Sequence, residues 1–261
     1  MAWGNLMQLS PFDVLQTYQP EYSASNGVNP ETLPTGNLSL GAMGFTTDGR
    51  KFRLAVLPTT GTTLAACKLI QSNAQTAAYH LGTVSAQVAG DTSITYTFAG
   101  GAATTVANQF SGGFISVVTG TGAPQQLQIS GSPLVTSSTT IVFQLQDPIV
   151  IATAANATAE LYANPYSAPI ITPGSSLTGT VLGAPMIGVT VSTTIPTYFW
   201  VQSGGFATVL GQGTTGIGLG GSNGSVAGSM AIVAATTPQL ALALEAGADG
   251  LYTVWDLNVG A

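Results

Sequence analysis

Charge is what this sequence has least of. Only 5% of its 261 residues are charged, with four Lys and Arg against ten Asp and Glu, for a formal net charge of −6. A typical soluble domain carries about a quarter charged residues. All four cations, Arg50, Lys51, Arg53 and Lys68, lie between residues 50 and 68, and none occurs from Leu69 to Ala261. Nucleic-acid binding draws on many phosphate contacts from Lys and Arg, so that class of partner is not expected. The acids Asp91, Asp147, Glu160, Glu245, Asp249 and Asp256 leave the rest of the chain anionic. An anionic membrane surface would repel it.

Sulfur and imidazole are equally scarce. One cysteine, Cys67, excludes an intramolecular disulfide, and one histidine, His80, leaves a zinc site without its usual ligands. The opening Met1 to Met7 lacks the basic and apolar regions of a signal peptide. No uninterrupted apolar stretch is long enough for a membrane helix, since Gly228, Ser229, Thr236, Thr237 and Pro238 break the longest one. The expectation is a chain made in the cytoplasm and not secreted by the standard signal-peptide route. Lys, Glu and Arg, all strong helix formers, are nearly absent, which lowers the expectation of helices.

What is present is apolar. Hydrophobic residues make up 45% of the chain, enough for a sizeable core and the reverse of a disordered composition. The polar surface must be Thr, Ser, Asn, Gln and backbone. Such a surface suits contact with protein, where each buried charge would need a partner.

The apolar residues recur with period two. Phe52, Leu54 and Val56 alternate with Arg53 and Ala55, and Ile94, Tyr96 and Phe98 with Thr95 and Thr97. Ile141, Phe143 and Leu145 are set against Val142, Gln144 and Gln146. Tyr198, Trp200 and Gln202 alternate with Phe199 and Val201, and Leu251, Thr253 and Trp255 with Tyr252 and Val254. These read as half-buried strands. Turn clusters such as Ala99-Gly100-Gly101 and Ser130-Gly131-Ser132-Pro133 separate them. The fold class is therefore all-β, with one or two small barrels or sandwiches. Only short helices, near 11–18, 63–72 and 101–110, are compatible with the pattern.

Residues 1–45 read as an extended arm, because Pro11, Pro20, Pro30 and Pro34 recur too often for any but brief helices. Tyr18 and Tyr22 are its candidate docking residues, with neighbouring chains as the expected anchor. A β domain is expected over 46–165 and a second over 166–261, with a boundary near Asn164-Pro165-Tyr166. The glycine-rich run 211–228 is expected to be a long loop.

The motifs that could carry chemistry are weak. Gly216-Ile217-Gly218-Leu219-Gly220-Gly221 fits a dinucleotide fingerprint, but no helix-forming sequence follows it. Gly220-Gly221-Ser222-Asn223-Gly224 fits a nucleophile elbow, but His80 lies far upstream. Cys67 sits among apolar neighbours, like a packed thiol. Asp91, Glu245 and Asp249 could form a calcium site or a glycosidase pair, without the spacing of either. No catalytic residue, cofactor or metal is assigned. The cluster Asp48-Gly49-Arg50-Lys51-Phe52-Arg53 has two readings, a turn leading into a strand with solvated basic ends, or an ionic patch that grips an acidic partner. On the second reading Arg50, Lys51 and Arg53 bind the partner.

Several segments resemble the head-decoration, or capsid cement, proteins of tailed bacteriophages. Thr47 to Ala55 and Ala65 to Ser72 resemble their early segment. Asn108 to Ile115, Leu145 to Ile149 and Ala163 to Tyr166 are similar to later ones, and Pro185 to Val191 followed by Thr197 to Gln202 resembles their C-terminal strand pair. The resemblance is patchy over roughly 45–257. It implies a β-rich virion protein on the capsid exterior, bound outside the major capsid protein lattice. Such a protein is a homo-oligomer, for example a trimer, without enzymatic activity or cofactor. Two other readings stay open: another virion component such as a tail, spike or capsid subunit, and a carbohydrate-binding or hydrolytic β domain.

Overall fold

A computed structural model describes residues 7–10, 13–15, 17–18, 22–23, 27–28, 39–74, 76–106, 108–174, 176–214, 216–218, 220–232 and 239–259. Among them the protein is all-β, with 3-10 turns at Asp13–Leu15 and Ala77–Tyr79 and no α-helix. The chain forms two compact units. One comprises Met1–Asn73 with Pro165–Ala261, and the other, Ala74–Asn164, is inserted into it.

The division differs from two consecutive domains. The chain leaves the inserted unit at 164/165, where the sequence suggests a boundary, but it enters at 74 and not at 46. The reason is a non-local pairing described below: the strand at 51–57 pairs with one near 200. Alternation along a strand reveals which residues share a face, not which distant strand covers it.

In the discontinuous unit the first strands are β1 (Met7–Gln8), β2 (Thr17–Tyr18), β3 (Tyr22–Ser23), β4 (Gly27–Val28), β5 (Met43–Phe45), β6 (Lys51–Leu57) and β7 (Ile70–Gln71). The inserted unit carries β8 (Gly82–Val84), β9 (Ser93–Thr97), β10 (Ala103–Thr105), β11 (Phe114–Val117), β12 (Gln125–Gly131), β13 (Val135–Ser138), β14 (Thr140–Leu145) and β15 (Ala157–Tyr162). The chain then returns with β16 (Ile170–Ile171), β17 (Val181–Pro185), β18 (Thr197–Gln212), β19 (Gly220–Asn223), β20 (Met230–Ile232), β21 (Ala241–Ala243) and β22 (Tyr252–Asn258).

The inserted unit is built on a closed barrel in the order β11-β12-β14-β9-β8-β15, with β10 and β13 paired in a separate two-stranded sheet. Closure pairs both edges of every barrel strand, so no edge of the barrel needs charged residues to block aggregation. Ile94 and Tyr96, Ile141, Phe143 and Leu145, and Ile115 and Val117 fill the interior. Phe110 meets Phe143 edge-on at 5.5 Å. The Tyr96 hydroxyl is buried with its own partners, donating to the Tyr79 carbonyl at 2.9 Å and accepting from the Gly82 amide at 3.1 Å. Burial pushes this phenol up to about 12, with the Glu160 carboxylate adding to the rise and the Gly82 amide opposing it.

The other unit is organised by β18. Along one edge β18 pairs with β6 over 197–204 and, in parallel, with β20 at 211–212. Along the other it pairs with β2, β17 and β22. Pairings from β18 through β20, β19, β21 and β22 return to β18, so its C-terminal half closes a ring of five strands. Ala207, Val209, Met230, Ala243, Trp255 and Leu257 form the core of that unit's ring. The glycine-rich run is therefore not one long loop. Gly220–Asn223 is a strand, and a Cβ on Gly221 would stand 2.5 Å from the Trp255 ring. Glycine is required there for close approach of backbone to indole.

The N-terminal half of β18 and its partner β6 are buried on both faces, unlike the half-buried strands that simple alternation suggests. Ala55, Leu57, Phe199 and Val201 face one cluster. Phe52, Leu54 and Trp200 face another, which Leu9 and Val14 of the arm cover. Leu9, Val14, β1 and β2 of the arm thus dock on their own chain: β1 pairs with β5, β2 with β18, and the Leu9 amide donates to the Phe45 carbonyl at 2.8 Å, while β3 and β4 pair with each other. This corrects, for those residues, the expectation that neighbouring chains hold the arm. Leu9→Ala should therefore lower the stability of the isolated chain by about 2–4 kcal/mol through the cavity it leaves. Urea unfolding followed by tryptophan fluorescence checks this, and an unchanged midpoint would place Leu9 outside the core.

Candidate partner-binding face

The basic cluster begins in a tight turn. The Thr46 amide donates to the Arg50 carbonyl at 3.0 Å, and Gly49 takes φ +87 between them. The Asp48 carboxylate accepts from the Thr46 hydroxyl, from the Arg50 amide at 3.3 Å and from Arg50 Nε at 2.8 Å. These donors, Thr46 first, hold the Asp48 carboxyl below its ordinary value. The Arg50 guanidinium also lies over the Phe52 ring, 5.7 Å from its centroid. Arg50 is thus engaged in closing the turn and starting β6.

Lys51 and Arg53 follow on one face of β6, and both line a pocket of about 560 Å³. Arg53 is half-buried and donates through Nη1 to the Gly41 carbonyl at 3.0 Å. Lys51 is exposed, and its side chain has no hydrogen bond or ion pair among the described residues. Ser203, Gly204 and Gly205 form the floor, and Asp256 and Asn258 of β22 the far wall. The floor exists because β18 bulges between Gln202 and Gly204. Buried Gln202 bridges the bulge, its Nε2 donating to the carbonyls of Gly204 at 3.2 Å and Phe206 at 2.8 Å. Gly205 takes φ +78, and a Cβ there would come within 3.1 Å of Arg50 Cα. A side chain at this position would both strain the backbone and fill the site.

Beyond the bulge the same sheet face carries apolar groups. Lys51, Gly204 and Asn258 form one row across three strands. The next row is Phe206, Asp256 and Leu242. Phe206 is 65% exposed, Tyr252 52% and Leu242 38%. The alternation of β18 and β22 turns these outward because Ala207, Val209, Trp255 and Leu257 turn inward. Positive charge, glycine backbone and exposed aromatic surface thus lie side by side.

Sequence reading singles out Arg50, Lys51 and Arg53, but not Gly204, Gly205, Phe206, Asp256 or Tyr252. The run Ser203-Gly204-Gly205-Phe206 within an apolar strand is the available signal, since glycine inside a strand marks a bulge. Tyr18 and Tyr22 contribute backbone pairs, with Tyr198 and Val28 respectively, and their side chains fall outside the described residues.

The other candidate groups take local roles. Cys67 and His80 belong to different units, and burial pushes the Cys67 thiol up, away from thiolate chemistry. Asp91, Glu245 and Asp249 each accept from a backbone amide, at Val88, Val254 and Gly213, at 3.0, 3.0 and 2.7 Å. Among the described residues no group of three His, Cys, Asp or Glu could hold a metal ion, and no helix is long and apolar enough to cross a membrane.

His80 has a partner that sequence reading missed. Its Nδ1 lies 2.8 Å from Glu160 Oε2, and the Glu160 side chain is only 8% exposed. Strand alternation sends Ala159 and Leu161 into the barrel and Glu160 outward, where His80 meets it. Removing the imidazole would leave a buried carboxylate unpaired, so His80→Ala should destabilise the barrel by about 1–3 kcal/mol. Adding Glu160→Gln should recover part of that loss. Thermal unfolding of the two variants checks the pair, and a wild-type melting curve for His80→Ala would contradict it. No family model matches this chain, and neither a curated protein nor a solved structure does.

Proposed function

We propose that this chain is a structural virion protein of the capsid-decoration kind, made in the host cytoplasm and bound to the outside of a lattice of major capsid protein. It works by adhesion and not by catalysis, without a cofactor, and stiffens the shell by bridging its subunits. The observation that carries this reading is the outward face of β18 and β22, which suits contact with protein within such an assembly, lattice or neighbouring copy. There Phe206 and Leu242 are exposed in the row next to Lys51, which has no side-chain partner among the described residues, and Tyr252 is exposed further along β22, on a chain whose composition is poor in charge. Large exposed apolar side chains set among polar groups on one sheet face mark protein contacts.

The remaining chemistry supports the same reading. The acids that could have paired for glycoside hydrolysis each accept from a different backbone amide, and burial holds the one thiol away from its reactive form. The resemblance of 47–55, 65–72, 185–191 and 197–202 to capsid cement proteins supports the choice of assembly.

Co-sedimentation of the purified chain with virus shells lacking it, followed by electron cryomicroscopy, tests the proposal. The expected result is added density on the shell exterior. With so few charges, affinity should change less than about tenfold between low and high salt, because exposed ion pairs contribute little and apolar burial is not screened. A folded chain that fails to bind shells, or binds only tail structures, would overturn the reading.

A further inference from the structure

The pocket beside Lys51 has a chemical counterpart elsewhere in this sequence. Among the described acids, Asp147 is exposed and makes no hydrogen bond or ion pair. It lies on a loop of the barrel unit next to Val150, 80% exposed, and Ile151, 46% exposed. The loop is held in place. Ile149, only 2% exposed, is anchored in the barrel core. Its amide donates to the Asp91 carbonyl and its carbonyl accepts from the Gly90 amide, both at 2.8 Å. Gln125 Nε2 donates to the Ile151 carbonyl at 2.7 Å. A segment fixed in this way loses little freedom on docking.

We infer that the loop 146–151 of one copy seats on the Lys51 pocket of a second copy. The Asp147 carboxylate meets the Lys51 ammonium and the Arg53 guanidinium. Val150 and Ile151 lie against Phe206 and Leu242. Charge complementarity selects this occupant: the pocket holds two of the chain's four cations, whereas the chain outside 50–68 offers only acids. Asp256, on the far wall, opposes a carboxylate and so directs it to the Lys51 side. The two surfaces differ, so the contact is heterologous and continues from copy to copy into a ring or an open chain.

Sedimentation velocity on the purified chain, with no shell present, tests this contact separately from capsid binding. A monomeric protein that still decorates shells would sink this inference and leave the functional proposal standing. Wild type should associate with rising concentration. Lys51→Glu and Asp147→Lys should each weaken association by about tenfold or more, since each puts like charges face to face. Both substitutions are on exposed side chains, and melting curves confirm folding. An equimolar mixture of the two variants should recover association, because the pocket of one then complements the loop of the other. Wild type that stays monomeric, charge reversals without effect, or a mixture that fails to recover would each overturn the contact.

Discussion

Every backbone polar group taken from water needs a partner, and a chain with so few charged side chains must meet that demand largely with its own backbone. Strand β18 is where this constraint is strongest. It is hydrogen-bonded to β6, β20, β2, β17 and β22, and residues 199–204 are all buried. Both apolar clusters of its N-terminal half and the ring core of its C-terminal half depend on that ladder. The barrel unit solves the same problem by closure. Neither solution leaves long exposed edges that Lys would have to guard.

The scarce charges are then assigned one by one. Asp48 and Arg50 close a turn, Glu160 meets His80, and Asp91, Asp249 and Glu245 cap amides. Among the described residues, the charges left exposed without a partner, Lys51 at the bulge and Asp147 on the barrel loop, stand beside exposed apolar side chains in both cases. The bulge is a consequence of the fold before it is a site. Gln202 needs acceptors for its buried amide, finds them at Gly204 and Phe206, and so fixes the backbone that opens the pocket.

The barrel was legible because its strands bury one face only. Ile94-Tyr96-Phe98 and Ile141-Phe143-Leu145 alternate with residues that meet solvent, and the interior contains those side chains. Strands β6 and β18 were visible as strands, but their two-sided burial was not, since it comes from partners more than a hundred residues apart. Glycine misled at 220–221, where it serves packing against Trp255 and not a loop. The basic half of the candidate face was readable at Arg50, Lys51 and Arg53. Its apolar half was not, because Phe206 and Tyr252 look like any other strand residues until the ring's closure decides which face is outside.

The central claim is that this sheet face is a protein-protein interface. Hydroxyl-radical footprinting of Phe206 and Tyr252 tests it most directly, comparing the dilute purified chain with the native assembly. The account predicts rapid oxidation of both rings in the free chain and strong protection in the assembly, with buried Trp255 unreactive in each. Equal oxidation of Phe206 and Tyr252 in both states would contradict it.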